Sequence, residues 1–316
     1  MNAHSRALRL AGRALALPAR SVPSNVLPRR YNSTVTGVNA VLQASESGNE
    51  PYDAGPSPRP TLLTKEFNID DRVALVSGGN GSIGLEMALA LVEAGARAVY
   101  CVDLPEKPSE AWEKVRRHAT RMEGKGGEGR LEYIQGDVTD QAHMWKIGEK
   151  IGDKEGRLDI GVAAAGVFKP PMDPLTYPAD VFRHVMDVNI NGALYTAQAA
   201  GRQMARFGSG GSVILVASAA GYIAIKNIQQ VSYNTSKAAV LQMTRSLACE
   251  LAPQNIRVNA LSPGWFRTNM TAQTIDASPG YFKDMIPMSR VGLPHELRGA
   301  TAWLASDASS FCTGSR

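Results

Sequence analysis

Cysteine is scarce in this 316-residue chain: Cys101, Cys249 and Cys312 are the full set. Three is an odd number and none of them stands in a C-x-x-C spacing, which excludes a disulfide framework and a zinc ribbon. Free thiols in a reducing compartment are the expectation. The five histidines are scattered and add no metal constellation. No apolar run approaches the roughly 18–20 residues that a bilayer demands, so neither a transmembrane helix nor membrane insertion is expected. The most telling absence is of acids. Residues 1–45 contain no Asp, Glu or Lys, yet they carry Arg6, Arg9, Arg13, Arg20, Arg29 and Arg30. Removing those six from the 34 basic residues leaves 28 against 29 acids, so the chain from Glu46 onward has a net charge of −1. The overall +5 belongs to the start of the chain, and no nucleic-acid footprint is expected.

That start has the composition of a mitochondrial transit peptide: arginine-rich, acid-free, with Leu and Ala followed by Ser and Pro. "ALRLAGRALAL" (7–17) can form an amphipathic helix, and "RRYNS" (29–33) resembles a matrix-processing site. Cleavage near Tyr31 and a mitochondrial matrix location are therefore expected. Arginines interrupt the apolar stretch, which argues against a secretory signal. Residues 46–69, rich in Pro, Gly and Ser, read as a disordered linker, and the globular part as 70–316.

From Val73 onward apolar β-runs alternate with helical patterns. The runs are "RVALVS" (72–77), "RAVYCVD" (97–103), "LEYIQGD" (131–137), "LDIGVAAA" (158–165), "GSVILVAS" (211–218) and "IRVNALS" (256–262). Several are continuously apolar, as in strands covered on both faces. Helical patterns fall at 84–94, 108–122, 140–152, 180–207, 232–252 and 294–305. This alternation predicts a single doubly wound Rossmann α/β domain, a parallel sheet with helices on both faces. Ligands of such sheets bind beyond the carboxyl ends of the strands.

Two motifs point to chemistry in combination, since alone a Gly-rich turn after a strand is common and a Tyr–Lys pair is an ordinary surface pair. "SGGNGSIG" (77–84) follows the first strand and opens the first helix; its glycines allow a tight turn and close approach of a pyrophosphate to a helix N-terminus. Asp103 stands nineteen residues after Gly84, at the end of the second strand. A carboxylate there can bond the adenosine ribose hydroxyls and repel a 2′-phosphate, which favours NAD over NADP. In "SYNTSKAAV" (232–240), Tyr233 and Lys237 lie one helical turn apart on the same face. A cation beside a phenol lowers its pKa from about 10 and suits it to acid/base work.

Together with these, further ordered motifs make residues ~70–314 resemble the short-chain dehydrogenase/reductase family. "SGGNGSIG" resembles its T-G-x-x-x-G-x-G turn, implying cofactor contacts at Ser77, Gly78, Asn80, Ser82, Ile83 and Gly84. "GDVT" implies adenine-side roles for Asp137 and Val138. "VAAAG" stands where the family has N-N-A-G and implies Ala165. "SPGWFRT" resembles P-G-x-x-x-T, implying Pro263 and Phe266 at the cofactor and Thr268 on the nicotinamide carboxamide. "VNINGA", "VASAAG" and "YNTSK" supply the catalytic set Asn189, Ser218, Tyr233 and Lys237, with Tyr233 and Lys237 also touching the cofactor. The resemblance implies that Ser218 holds the substrate oxygen and Tyr233 moves its proton. Lys237 would bond the nicotinamide ribose and lower the Tyr233 pKa, and Asn189 would anchor a water that relays protons.

Within the family, "KNIQQVSYNTSKAAV" and the region near the end of the chain resemble fungal polyol dehydrogenases such as the D-arabinitol 2-dehydrogenases. A small polyol or ketone substrate of pentitol/ketopentose type follows from that resemblance, as does a homo-oligomer, a tetramer in the family. The alternatives are a mitochondrial 3-oxoacyl carrier-protein reductase and a non-catalytic member. Ser77 keeps the hydroxyl of the usual Thr, Ser82 replaces a Gly, and Ala163 and Ala164 replace an Asn pair. The sequence stops at "FCTGSR", where the family's T-G turn leads into a final strand. A truncated sheet, an unpaired edge on "IRVNALS" and weakened assembly are expected from that.

Overall fold

"VALVS" becomes a strand, β1 (Val73–Ser77), with every residue buried, because it is sandwiched between helices on both sides. Val73 and Leu75 enter one core while Ala74 and Val76 enter the other, the two-residue alternation of a strand. This structure, a computed structural model, describes residues 62–316 apart from 122, 125, 126 and 227. The transit-peptide reading and most of the linker fall outside the described residues.

The other strands of the main sheet are β2 (Ala98–Asp103), β3 (Arg130–Gln135), β4 (Ile160–Ala163), β5 (Gly211–Val216) and β6 (Ile256–Leu261). They form one parallel sheet in the order β3-β2-β1-β4-β5-β6. The order reverses direction between β1 and β4, which opens a crevice at the carboxyl ends. Helices α1 (Ser82–Glu93) and α2 (Glu110–Ala119) cover one face. Helix α3 (Gln141–Glu155) covers the other. The predicted helix at 180–207 is really α4 (Ala179–Met186), a π-helical turn at Asp187–Asn191, and α5 (Gly192–Phe207). Helix α6 (Val231–Leu251) lies on the same face as α3 and packs against α4 and the π-helical turn. Two short helices, α7 (Ala272–Ala277) and α8 (Pro279–Met285), lie in a segment the periodicity leaves blank. Helix α9 (Arg298–Ala305) returns to the face of α1. Among the described residues no helix is long and apolar enough to cross a membrane.

Two expectations need correction. The linker does not extend to residue 69: Leu62–Glu66 form a π-helical turn, and Ile69 is fully buried with its amide bonded to the Ala94 carbonyl. An apolar side chain sealed under α1 belongs to the domain. The outer edge of β6 is also not bare. The Gly314 amide donates to the Val258 carbonyl at 2.7 Å and the Ala260 amide to the Ser315 carbonyl at 2.8 Å. The Thr313 hydroxyl accepts from the Val258 amide. The residues after the T-G turn already use the hydrogen-bonding groups that composition leaves unpaired.

At the amino ends of the strands, ion pairs tie the sheet together. The buried Glu155 carboxylate receives Arg130 and the Tyr100 hydroxyl, and Arg97 lies beside it. Arg157 bridges Asp71 and Asp159, and Asp159 accepts the Val73 amide at 2.9 Å.

Candidate active site

All the predicted site residues lie toward the carboxyl end of the sheet or on the turns that leave it. At the first turn, Gly78 has φ +70° and sits so close to β4's exit that a Cβ there would lie 2.6 Å from the Ala165 amide nitrogen. A Cβ on Gly84 would lie 2.2 Å from the Gly78 carbonyl oxygen. Glycine is therefore required at both positions, one for the turn and one for the seat of α1 against it. No side chain caps the start of α1, so the first-turn amides at Ser82, Ile83 and Gly84 are left for an anion. Ser82 is accommodated as the first residue of α1 with no left-handed backbone. Ser77 is buried under the turn, with its Oγ 3.0 Å from the Thr196 hydroxyl.

Asp103 closes the neighbouring wall. One carboxylate oxygen accepts the Asn80 amide at 3.0 Å and the other the Leu104 amide at 2.9 Å. Asn80 in turn accepts the Ser109 amide, so turn, strand end and α2 are fastened together. After β3, Asp137 is exposed and bonds Thr139, while Val138 is buried against Gly192. These residues fit a dinucleotide: a glycine cradle that a side chain would fill, uncapped amides for the pyrophosphate, and a carboxylate for the ribose.

The residues expected to be catalytic converge from three elements. Ser218 follows β5, Tyr233 and Lys237 sit on α6, and Asn189 lies in the π-helical turn, a distortion frequent at functional sites. Ser218 and Tyr233 share the wall of a cleft of about 480 Å³. Phe168 meets the Tyr233 ring edge-on at 5.6 Å. Lys237 is buried, with Nζ 5.6 Å from the Tyr233 ring centroid and donating to the Val216 carbonyl at 2.8 Å. The Asn189 amide group accepts the Val167 amide at 2.8 Å and donates to the Val167 carbonyl and the Ser236 hydroxyl. Its side chain braces α6 through Ser236, which donates to the Tyr233 carbonyl at 2.7 Å.

Two roles drawn from the resemblance look different here. Burial raises the Tyr233 pKa, and the Ser218 hydroxyl pulls it partway back; Lys237 is not among the groups that lower it. Burial also pushes the Lys237 ammonium down to about 8. The lysine points at a backbone carbonyl rather than at the phenol oxygen. The Asn189 side chain spends its bonds on Val167 and Ser236, with none to Lys237.

Around the cleft mouth, the Pro263 carbonyl accepts the Ala219 amide, and Phe266 pairs with Gly292 in an isolated bridge. The Thr268 hydroxyl pairs with that of Thr271 at 3.0 Å. Sequence reasoning missed Val216, Val167 and Ser236. The first two act through their backbone and leave no side-chain signal, whereas Ser236 lies inside the "YNTSK" motif itself.

A family model described as Enoyl-(Acyl carrier protein) reductase matches residues 78–316. Sorbose reductase sou1 of Schizosaccharomyces pombe is 36% identical over 253 residues, covering 80% of this chain and 96% of that protein. The ribulose-forming D-arabinitol 2-dehydrogenase of Scheffersomyces stipitis is 32% identical over 260 residues, covering 80% and 93%. A short-chain type dehydrogenase/reductase from Mycobacterium marinum superposes with a TM-score of 0.73 at 36% identity, covering 80% and 95%. A gluconate 5-dehydrogenase from Burkholderia cenocepacia, solved with NADP and tartrate, superposes with a TM-score of 0.70 at 30% identity, covering 81% and 95%. With its glycine turn, its strand order and its Ser–Tyr–Lys cluster all in place, this chain belongs to the short-chain dehydrogenase/reductase family, the nicotinamide-dependent oxidoreductases of secondary alcohols.

Proposed function

We propose that this protein transfers a hydride between NAD and a secondary alcohol or its ketone. One observation carries the reading: the Ser218 and Tyr233 hydroxyls share one cleft wall with the buried Lys237 ammonium behind them. Bound NAD supplies an electrophilic ring that accepts a hydride. Ser218 holds the substrate oxygen, and Tyr233 takes its proton in oxidation and returns it in reduction. Lys237, anchored on Val216, supplies a donor for the ribose, while Asn189 keeps α6 in place through Ser236. Asp103, with no Arg or Lys in the glycine turn, supports NAD over NADP, although the Burkholderia structure shows a related protein holding NADP.

The names of the sorbose and arabinitol relatives support a polyol or sugar substrate of pentitol/ketopentose type. The arginine-rich, acid-free start supports import into the mitochondrial matrix, with a mature protein beginning near residue 32. The homo-oligomer is proposed on family likeness alone. The test of the central reading is NADH formation from a panel of secondary alcohols led by pentitols, beside Tyr233→Phe. That variant keeps the ring and the cofactor site, so NADH should still bind while turnover falls by roughly 10²-fold or more. Near-normal turnover would remove Tyr233 from the chemistry.

A further inference from the structure

Much of the lining beyond Ser218 and Tyr233 is hydrocarbon. Ile223, Ile225 and Ile228 approach from the loop before α6, and Trp265, Met270 and Met285 from the segment after β6. Several of these are large apolar side chains left open to water: Ile223 is 56% exposed, Met270 43% and Met285 41%. Met288, also on the lining, is 71% exposed. A soluble protein rarely gathers such side chains around one cavity unless something apolar covers them.

Three of the polar side chains on the lining are committed to neighbours. Arg290 and Glu296 bond each other twice, at 2.6 and 2.7 Å. The Thr271 hydroxyl is engaged with Thr268 and the Phe266 carbonyl. Gln230, Thr274 and Asn234, whose Oδ1 is buried without a partner, remain for a ligand. A polyol brings a hydroxyl on every carbon, and each one desolvated against the isoleucines and methionines loses its water without gaining a partner.

We infer that this site acts on secondary alcohols and ketones whose carbon chain is apolar, and prefers them to polyols and ketoses of equal length. The inference rests on the hydride-transfer reading of Ser218, Tyr233 and Lys237, and departs from the pentitol type that the relatives' names support. In the reduction direction, the NADH hydride goes to the carbonyl carbon and the Tyr233 proton to its oxygen. The products are the secondary alcohol and NAD.

The test compares kcat/KM of the full chain with NADH for pentan-2-one, heptan-2-one and D-ribulose. Pentan-2-one and ribulose have the same number of carbons and both carry the ketone at the second. Pentan-2-one should exceed ribulose by at least about tenfold, with heptan-2-one higher still, as hydrocarbon pockets discriminate on that scale. Ribulose turned over as fast or faster overturns the inference and leaves hydride transfer standing. No NADH oxidation with any of the three overturns both. Ile223→Asn, at an exposed position outside the core, should raise KM for heptan-2-one at least about fivefold with little change in kcat, and leave ribulose unaffected. An equal loss on both substrates would show that Ile223 supports the loop rather than selecting the chain.

Discussion

Lys237 is anchored on Val216: its Nζ donates 2.8 Å to the last carbonyl of β5, two residues before Ser218. The sheet thereby fixes the ammonium relative to the serine, and the one-turn spacing on α6 fixes it relative to the tyrosine. A buried cation with one carbonyl partner is costly to hold, and its pKa of about 8 expresses that cost.

Lys237→Met should separate stability from activity. The folded-state pKa lies below the unfolded value of about 10.4, so burial of the charge destabilises the fold most below about pH 8. That penalty fades as pH rises from about 8 to 10.4. The variant should match or exceed the parent in Tm at pH 7 and lose the rise in stability across that window, while turnover falls at least tenfold. Thermal unfolding from about pH 7 to 10, read beside activity, checks both. Because burial raises the Tyr233 pKa, oxidation should speed up with increasing pH and reduction with decreasing pH.

Asp103→Ser should narrow the preference for NAD. The carboxylate ties itself to Asn80 and Leu104 and faces the ribose site, so its loss removes a bond to the ribose and a repulsion of the 2′-phosphate. The ratio of kcat/KM for NAD over NADP should fall by about tenfold or more. A parent enzyme that prefers NADP would contradict this reading of the wall.

Gly84→Ala opposes two effects of known size. Alanine improves helix propensity by about 1 kcal/mol over glycine. Its Cβ would lie 2.2 Å from the Gly78 carbonyl oxygen, a backbone atom that cannot step aside. Forcing the turn away from α1 should cost about 1–3 kcal/mol, so overpacking outweighs propensity. A lower Tm and NADH binding weakened at least tenfold are expected by thermal unfolding and fluorescence titration.

Glu155→Ala probes the opposite end of the sheet. Burial pushes this carboxyl up, but Arg130, the Tyr100 hydroxyl and the charge of Arg97 outweigh it and leave the pKa lowered. A depressed carboxylate stabilises the fold above its unfolded pKa of about 4.3, and that contribution disappears as pH falls through the folded value. Removing the carboxylate takes the bidentate partner from Arg130 and the acceptor from Tyr100, leaving Arg130 with Glu132 and Arg97 with Asp71, at a cost of about 1–2 kcal/mol at pH 7 once solvent screening of the partly exposed arginines is counted. Urea unfolding across a series from pH 7 downward should show the difference between parent and variant shrinking once the pH drops below the unfolded pKa of about 4.3.

The doubly wound sheet was legible in the sequence because a strand buried on both faces reads as a continuous apolar run, as "VALV" (73–76) and "VILV" (213–216) do. The glycine turn, Asp103 and the Tyr–Lys pair were legible for a related reason. Each depends on residue type at a short spacing, which local backbone geometry converts directly into position. Tertiary packing decided the rest. The π-helical turn that sets Asn189 against Val167 and Ser236 breaks a run that periodicity reads as one helix. The Lys237 anchor is a backbone carbonyl, which any residue at Val216 would supply. The raised Tyr233 pKa comes from surroundings assembled from distant segments. The hydrocarbon wall joins isoleucines before α6 to Trp265 and the methionines after β6. Those two stretches are far apart in sequence, and only the return of the chain across the carboxyl ends of the strands makes them one surface.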